Sequence, residues 1–214
     1  MRIEWFQYFQ LICLLIALLS YKKLRQFSLG IFIPILLLVN FTEFTGVNCR
    51  LLGWNNDLIY NLYTILITPL YLYAYFKMMV FDKNERVTFL LIAGLSMSFI
   101  ILNFFFLQGM VKFNSYSGML SNLLNVFFCG LILLRIITME QEQITFHATP
   151  YFWIAASNLL VSMVTLVLLS LHPYIKQHKL MLGHESLYHA ILPVSSAFLY
   201  SVYSYAFFYA TDKR

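Results

Sequence analysis

Glu43 is the residue of this chain best placed to do chemistry. It closes the segment Asn40-Phe41-Thr42-Glu43 at the end of an uncharged apolar run, so an amide and a carboxylate three residues apart lie on nearly one helical face. An ionisable side chain in an apolar setting is costly unless it meets a partner or water. Glu43 can therefore act as a ligand, proton or cation contact in a cavity that opens outward. The plainer alternative is an interfacial carboxylate that ends the run and pairs with Arg50. Other runs carry amides and hydroxyls: Asn61, Asn103, the group Ser121, Asn122 and Asn125, and the group Ser157, Asn158, Ser162 and Thr165. Asn122 and Asn125 share a face, and Asn158, Ser162 and Thr165 follow one stripe. Such residues either line a polar central cavity or serve as interhelical glue. Gly94 and Ser98, four apart, suggest close helix packing.

Tyrosine is enriched in two places, at Tyr60, Tyr63, Tyr71, Tyr73 and Tyr75, and again at Tyr200, Tyr203, Tyr205 and Tyr209. End positions suit an interfacial aromatic belt. Tyr71 with Tyr75, or Tyr200 with Tyr203, can instead line a pocket, offering a flat apolar face and a hydroxyl. Four histidines, His172, His178, His184 and His189, gather near one loop, while His147 stands apart. Their spacing matches no H-x-x-x-H helix face, so no metal site is expected, and His189 alone is a candidate pocket residue. Cys13, Cys49 and Cys129 show no CxxC pairing and suggest neither a disulfide framework nor a zinc site.

The elements that must position these residues are legible from charge. Seven stretches, 5–21, 26–42, 58–76, 87–111, 113–134, 143–175 and 186–211, contain no Asp, Glu, Lys or Arg. About 20 apolar residues cross the hydrocarbon core as a helix, and barrel strands would alternate with polar residues instead. With 61% hydrophobic and 11% charged residues, the chain reads as an all-α polytopic membrane protein. The expectation is a single domain over 1–214, a seven-helix transmembrane bundle with spans near 5–21, 26–45, 58–78, 87–109, 115–138, 150–172 and 187–210. Pro34, Pro69 and Pro193 fall within spans, as hinges or as shape. The first run lacks a basic n-region and an A-x-A-like site, so it is expected to stay as a helix and not as a signal peptide.

Lys and Arg favour cytoplasmic loops. Nine of them (Lys22, Lys23, Arg25, Lys77, Lys83, Arg86, Arg135, Lys213 and Arg214) fall on one side, against Arg2, Arg50, Lys112, Lys176 and Lys179 on the other. This puts the N-terminus outside and the C-terminus in the cytoplasm. The net charge of +5 sits at loop ends, where anionic lipid attracts it, and implies no nucleic-acid partner.

Several mechanisms lack their residues. The last run has no lysine for a retinal Schiff base. The histidine, aspartate and paired H-x-x-x-H set of seven-helix intramembrane hydrolases of the ceramidase and progestin-receptor type is missing. A three-plus-one-plus-three arrangement resembles sugar semi-transporters and vitamin-uptake proteins, and Leu58-Ile59-Tyr60-Asn61 parallels Ser186-Leu187-Tyr188-His189 as a repeat would. The PQ dipeptide and W-x-x-W pattern of those families are absent from the spans. The segment Trp54-Asn55-Asn56-Asp57-Leu58-Ile59-Tyr60-Asn61-Leu62-Tyr63, an N-x-x-x-Y-N-x-Y pattern, together with Pro150-Tyr151-Phe152-Trp153, resembles small uncharacterised bacterial seven-helix integral membrane proteins. That resemblance implies an inner-membrane location and, for some members, a link to sensory systems.

The functional expectation is a bacterial inner-membrane sensor or accessory subunit with a polar intramembrane pocket. Its candidate pocket residues are Glu43, Asn40, Asn61, Asn103, Asn122, Asn125, Asn158, Tyr71, Tyr200 and His189. Its partners are the lipid bilayer and a membrane or cytoplasmic protein that reads the signal, because no loop is large enough for an output domain. The residues specify neither the small-molecule ligand nor a cofactor. A small-solute transporter is the alternative, and an intramembrane enzyme using Glu43 and His189 as acid and base is the third reading.

Overall fold

The computed structural model describes residues 3–79, 81–138, 149–182 and 185–212. Arg2, His147, His184, Lys213 and Arg214 lie outside them. Every apolar run carries a helix: α1 (Trp5–Leu19), α3 (Phe32–Leu51), α4 (Asp57–Met78), α5 (Lys83–Leu102), α6 (Ser115–Thr138), α7 (Pro150–Gln177) and α8 (Leu187–Asp212). Between α1 and α3 lie the short α2 (Tyr21–Gln26) and a 3-10 turn at Leu29–Ile31, and α5 runs into a π-turn at Asn103–Leu107. Two two-residue strands, β1 (Met181–Leu182) and β2 (Glu185–Ser186), pair antiparallel before α8. The fold is otherwise all-α.

Among the described residues, five segments are long and apolar enough to cross a membrane: Leu29–Leu51, Lys83–Leu107, Ser115–Thr138, Pro150–His172 and Leu187–Ala210. This makes the chain an integral membrane protein. The other two helices fall short for different reasons. α1 has only 15 residues, a length of about 22 Å at 1.5 Å per residue. α4 has 22 residues, but Asp57, Asn61, Lys77 and five tyrosines make it less apolar.

Several boundaries differ from the sequence reading. The first helix stops at Leu19 because the chain turns at Ser20 into α2. The second begins at Phe32, not 26, after Ser28 takes a left-handed φ of 56°, and Pro34 then sits in the first turn, where its missing N–H leaves no bond unmade. That helix also passes through Glu43 to Leu51, since a carboxylate with a tyrosine partner need not end a helix.

The helices close into a ring. α1 packs on α3, α3 on α4, α4 on α6, α6 on α7, α7 on α8, and α8 returns to α1. α5 stands outside, against α4 and α6, and buries only Phe89 and Ile100 along its length. One end of the bundle holds Glu4, the α3–α4 turn and the α5–α6 loop, joined by Asn55 Nδ2 donating to Val111 O at 3.4 Å and by the Arg50–Glu4 pair at 3.9 Å. We call it the N-terminal end. The opposite, C-terminal end holds α2 and the start of α7, where Tyr151 OH donates to Phe27 O at 2.5 Å. Arg135 Nη2 donates to Glu85 Oε1 at 2.6 Å at the same end.

Aromatic rings fill the ring of helices toward the C-terminal end. Phe32 of α3 meets Tyr71, Tyr203 and Phe207 with centroids 6.4, 5.3 and 5.9 Å apart. Tyr71 stacks on Tyr75 at 6.0 Å, Tyr75 leans on Phe128 at 6.1 Å, and Phe128 meets Phe89 of the outlying α5 at 4.7 Å. Offset and edge-to-face pairs at these distances are favourable beyond the area they bury.

Candidate functional site: a carboxylate among tyrosines

The site starts with the way α3 ends. Gly53 adopts φ +71°, which glycine takes without Cβ strain, and the N–H groups of Gly53 and Trp54 return to Arg50 O at 3.1 Å and Cys49 O at 2.9 Å. This paired closure is a Schellman stop. The chain reverses over Leu52–Asn56, Asn56 Nδ2 donates to Gly46 O at 3.3 Å, and α4 runs back along α3.

Tyr60, one turn into α4, then lies flat on α3. A Cβ at Gly46 would stand 2.6 Å from the Tyr60 hydroxyl and 2.9 Å from its Cζ. Only glycine leaves that slot. One turn before Gly46 on the same face is Glu43, and the Tyr60 hydroxyl lies beside its carboxylate.

Three further tyrosines come within electrostatic reach of Glu43: Tyr63 from α4, and Tyr188 and Tyr200 from α8. Glu43, Tyr60, Tyr63 and Tyr188 each keep part of their surface accessible, whereas Tyr200 is buried. Arg50 reaches the carboxylate electrostatically from two turns along α3, but its guanidinium is also 3.9 Å from Glu4. Among the described residues Glu43 thus has tyrosines as its neighbours and one shared cation as counter-charge. On the neighbouring α1–α8 contact, Gln10 is almost wholly buried; its Nε2 donates to Ser196 Oγ at 3.1 Å and its Oε1 has no partner among the described residues.

The remaining sequence candidates divide. Asn40 stays on the Glu43 face of α3, but its Nδ2 donates to Leu36 O at 2.8 Å, one turn back on its own helix. Tyr71 lies deeper, beside Tyr203 in the aromatic layer, where both rings meet Phe32. Asn125 and Asn158 accept from tyrosines of that layer, Tyr75 OH to Asn125 Oδ1 at 3.0 Å and Tyr203 OH to Asn158 Oδ1 at 2.7 Å. Asn122 donates to Gly118 O of its own helix at 2.8 Å. Asn61 and Asn103 pin the α5–α6 loop. Asn61 Nδ2 donates to Met110 O and Lys112 O at 3.1 and 2.7 Å and its Oδ1 accepts from Asn114 N at 2.8 Å. Asn103 Nδ2 donates to Ser117 Oγ at 2.8 Å and Gln108 Oε1 at 3.0 Å. These amides therefore do not form one polar cavity with Glu43; most hold helices and a loop together.

His189 is exposed and follows Tyr188 directly. Successive helical residues point about 100° apart, so a helix that turns Tyr188 toward Glu43 turns His189 away. His172 rests edge-on against Tyr188 with centroids 5.4 Å apart, and His178 lies tilted against Tyr174 at 4.2 Å.

Tyr60, Tyr63, Tyr188, Gly46 and Gln10 were not singled out from sequence as site residues. A signal existed for part of the set: Asn61, Thr68 and Tyr75 are spaced by seven, and so are His189, Ser196 and Tyr203, at one constant offset that also aligns Tyr60 with Tyr188.

Fold and site define an all-α integral membrane protein with a partly accessible carboxylate set among tyrosines near one end of a helical ring. No protein-family model matches the chain, and neither a curated protein nor a solved structure matches it.

Proposed function

We propose that this chain is a bacterial inner-membrane sensor or accessory subunit that binds a small molecule at Glu43 from outside and signals through a partner protein. All seven long helices cross the membrane in this reading, with α1 and α4 sheltered as members of the ring. The N-terminal end faces outward. Supporting that orientation, Lys22, Lys23 and Arg25 of α2 are exposed at the C-terminal end, which also carries Lys77, Lys83 and Arg86.

The observation that carries the reading is the contrast between the two halves of the ring. Glu43 and three of its tyrosines retain accessible surface at the outward end, while Phe32, Tyr75, Tyr203 and Phe207 below them are wholly or almost wholly buried. Partial exposure on one side and close packing on the other suit a receptor. The short connections between the helices hold no output domain, and in this reading a partner protein reports the bound state.

A second reading, a small-solute transporter of three-plus-one-plus-three topology, is favoured by one specific feature. α4 and α8 occupy opposite places in the ring, and their aligned positions bond to the helix on one flank: Thr68 Oγ1 and Ser121 Oγ lie 2.9 Å apart, and Gln10 Nε2 donates to Ser196 Oγ at 3.1 Å. α5 is then the odd helix between two halves of three. Transport would require the aromatic layer to part.

Proteoliposome uptake separates the two. A panel of sugars, nucleosides, amino acids and choline should show no flux above empty vesicles, and a second protein should co-purify from native membranes. Flux of any panel solute moves the assignment to the transporter; purification that never recovers a second protein counts against the sensor.

A further inference from the structure

We infer that the ligand of the Glu43 site is a small organic cation with an alkylammonium head. This rests on the reading of that site as an outward-facing binding pocket and adds the chemistry of what it takes. Glu43 is a carboxylate in the span Leu29–Leu51, where a charge is expensive without a counter-charge. Its nearest described cation, Arg50, is shared with Glu4. The other groups around it are tyrosines from α4 and α8, whose ring faces are electron-rich and attract ammonium groups. Tyrosine hydroxyls can donate to a carboxylate, but they leave its net charge uncompensated. A negative head group is excluded by the same carboxylate. A neutral polar ligand would hydrogen-bond the hydroxyls but leave the charge in place, whereas an alkylammonium supplies the counter-charge and lays its methyl groups on the rings. The slot at Gly46, which holds the Tyr60 ring against α3, sets one wall in position before any ligand arrives, and preorganised walls reduce the ordering cost of binding.

The test uses the full chain in nanodiscs, titrated at constant ionic strength with choline and tetramethylammonium, and with 3,3-dimethyl-1-butanol, a neutral analogue of choline of nearly the same shape. The expected result is saturable binding of both cations, at least tenfold weaker binding of the neutral analogue, and at least tenfold loss of choline affinity in Glu43→Gln with the neutral analogue unchanged. Tyr60→Leu should weaken choline binding and Tyr60→Phe should retain most of it. Equal binding of choline and its analogue, or binding of neither cation, overturns the assignment. A parallel Glu43→Cys variant, probed with a membrane-impermeant maleimide from outside, separates the two failures. Labelling without cation binding refutes the ligand class and leaves the pocket standing; absence of labelling removes both.

Discussion

Gly46 is the residue on which the geometry of the site most depends. An alanine there places a methyl group 2.6 Å from the Tyr60 hydroxyl, which forces the ring off α3 and away from Glu43. Overpacking of this kind costs about 1–3 kcal/mol, so Gly46→Ala should lower the thermal midpoint in detergent and abolish ligand binding. Gly94→Ala is the matched control: nothing lies within 4 Å of its added Cβ, and alanine gains about 0.5–1 kcal/mol over glycine within a helix, so the midpoint should hold or rise. Asn61 supplies a second test at this scale. It is 2% exposed and bonds three backbone groups of the α5–α6 loop. Asn61→Leu keeps the branched shape and strands the buried Asn114 N–H, at a cost of about 1–3 kcal/mol for that group alone. A loss of stability with cation binding retained would confirm the loop-pinning role; loss of binding without loss of stability would make Asn61 a ligand contact.

Among the elements, α4 and α8 carry the polar contacts that tie the ring together. Tyr75 bonds Asn125 of α6, and Tyr203 bonds Asn158 of α7. Interhelical hydrogen bonds in membranes average about 0.6 kcal/mol, with a maximum near 1.7. Tyr75→Phe and Tyr203→Phe should each cost within that range, and the pair together about the sum, measured by unfolding in mixed micelles; a loss several times larger would mean that the aromatic layer collapses as a unit. The same helices show what the sequence could and could not tell. Charge-free runs located all the long helices, because exclusion of charge is imposed by lipid along the whole length of a span. Asn40, Asn122 and Asn125 were legible as polar, but their partners were not: Asn122 bonds backbone of its own helix, Asn40 bonds both its own helix and Gln10 O of α1, and Asn125 accepts from Tyr75 of α4. Helical spacing says which residues share a face, and the packing of other helices decides what that face meets. Glu43 was found from its type alone. Tyr60 and Tyr188 were hidden because an aromatic near a span end is ordinarily a belt residue, and only the turn at Gly53 and the slot at Gly46 bring Tyr60 onto Glu43.

For the whole molecule, the ring closes through α1 and α8 while α5 remains outside. The arrangement leaves Glu43 and three of its tyrosines partly accessible toward the N-terminal end and packs aromatics toward the C-terminal end, so access to Glu43 should be one-sided. The membrane orientation expected from Lys and Arg makes that side the outside. Impermeant thiol labelling of intact cells tests the combination most directly, with Glu43→Cys and Tyr203→Cys each made in a Cys49→Ser background, since Cys13 and Cys129 are already buried. The expected result is rapid labelling of Glu43→Cys from outside and no labelling of Tyr203→Cys from either face. A Glu43→Cys thiol that reacts only from the cytoplasmic side, or with neither face, would contradict the outward-facing site.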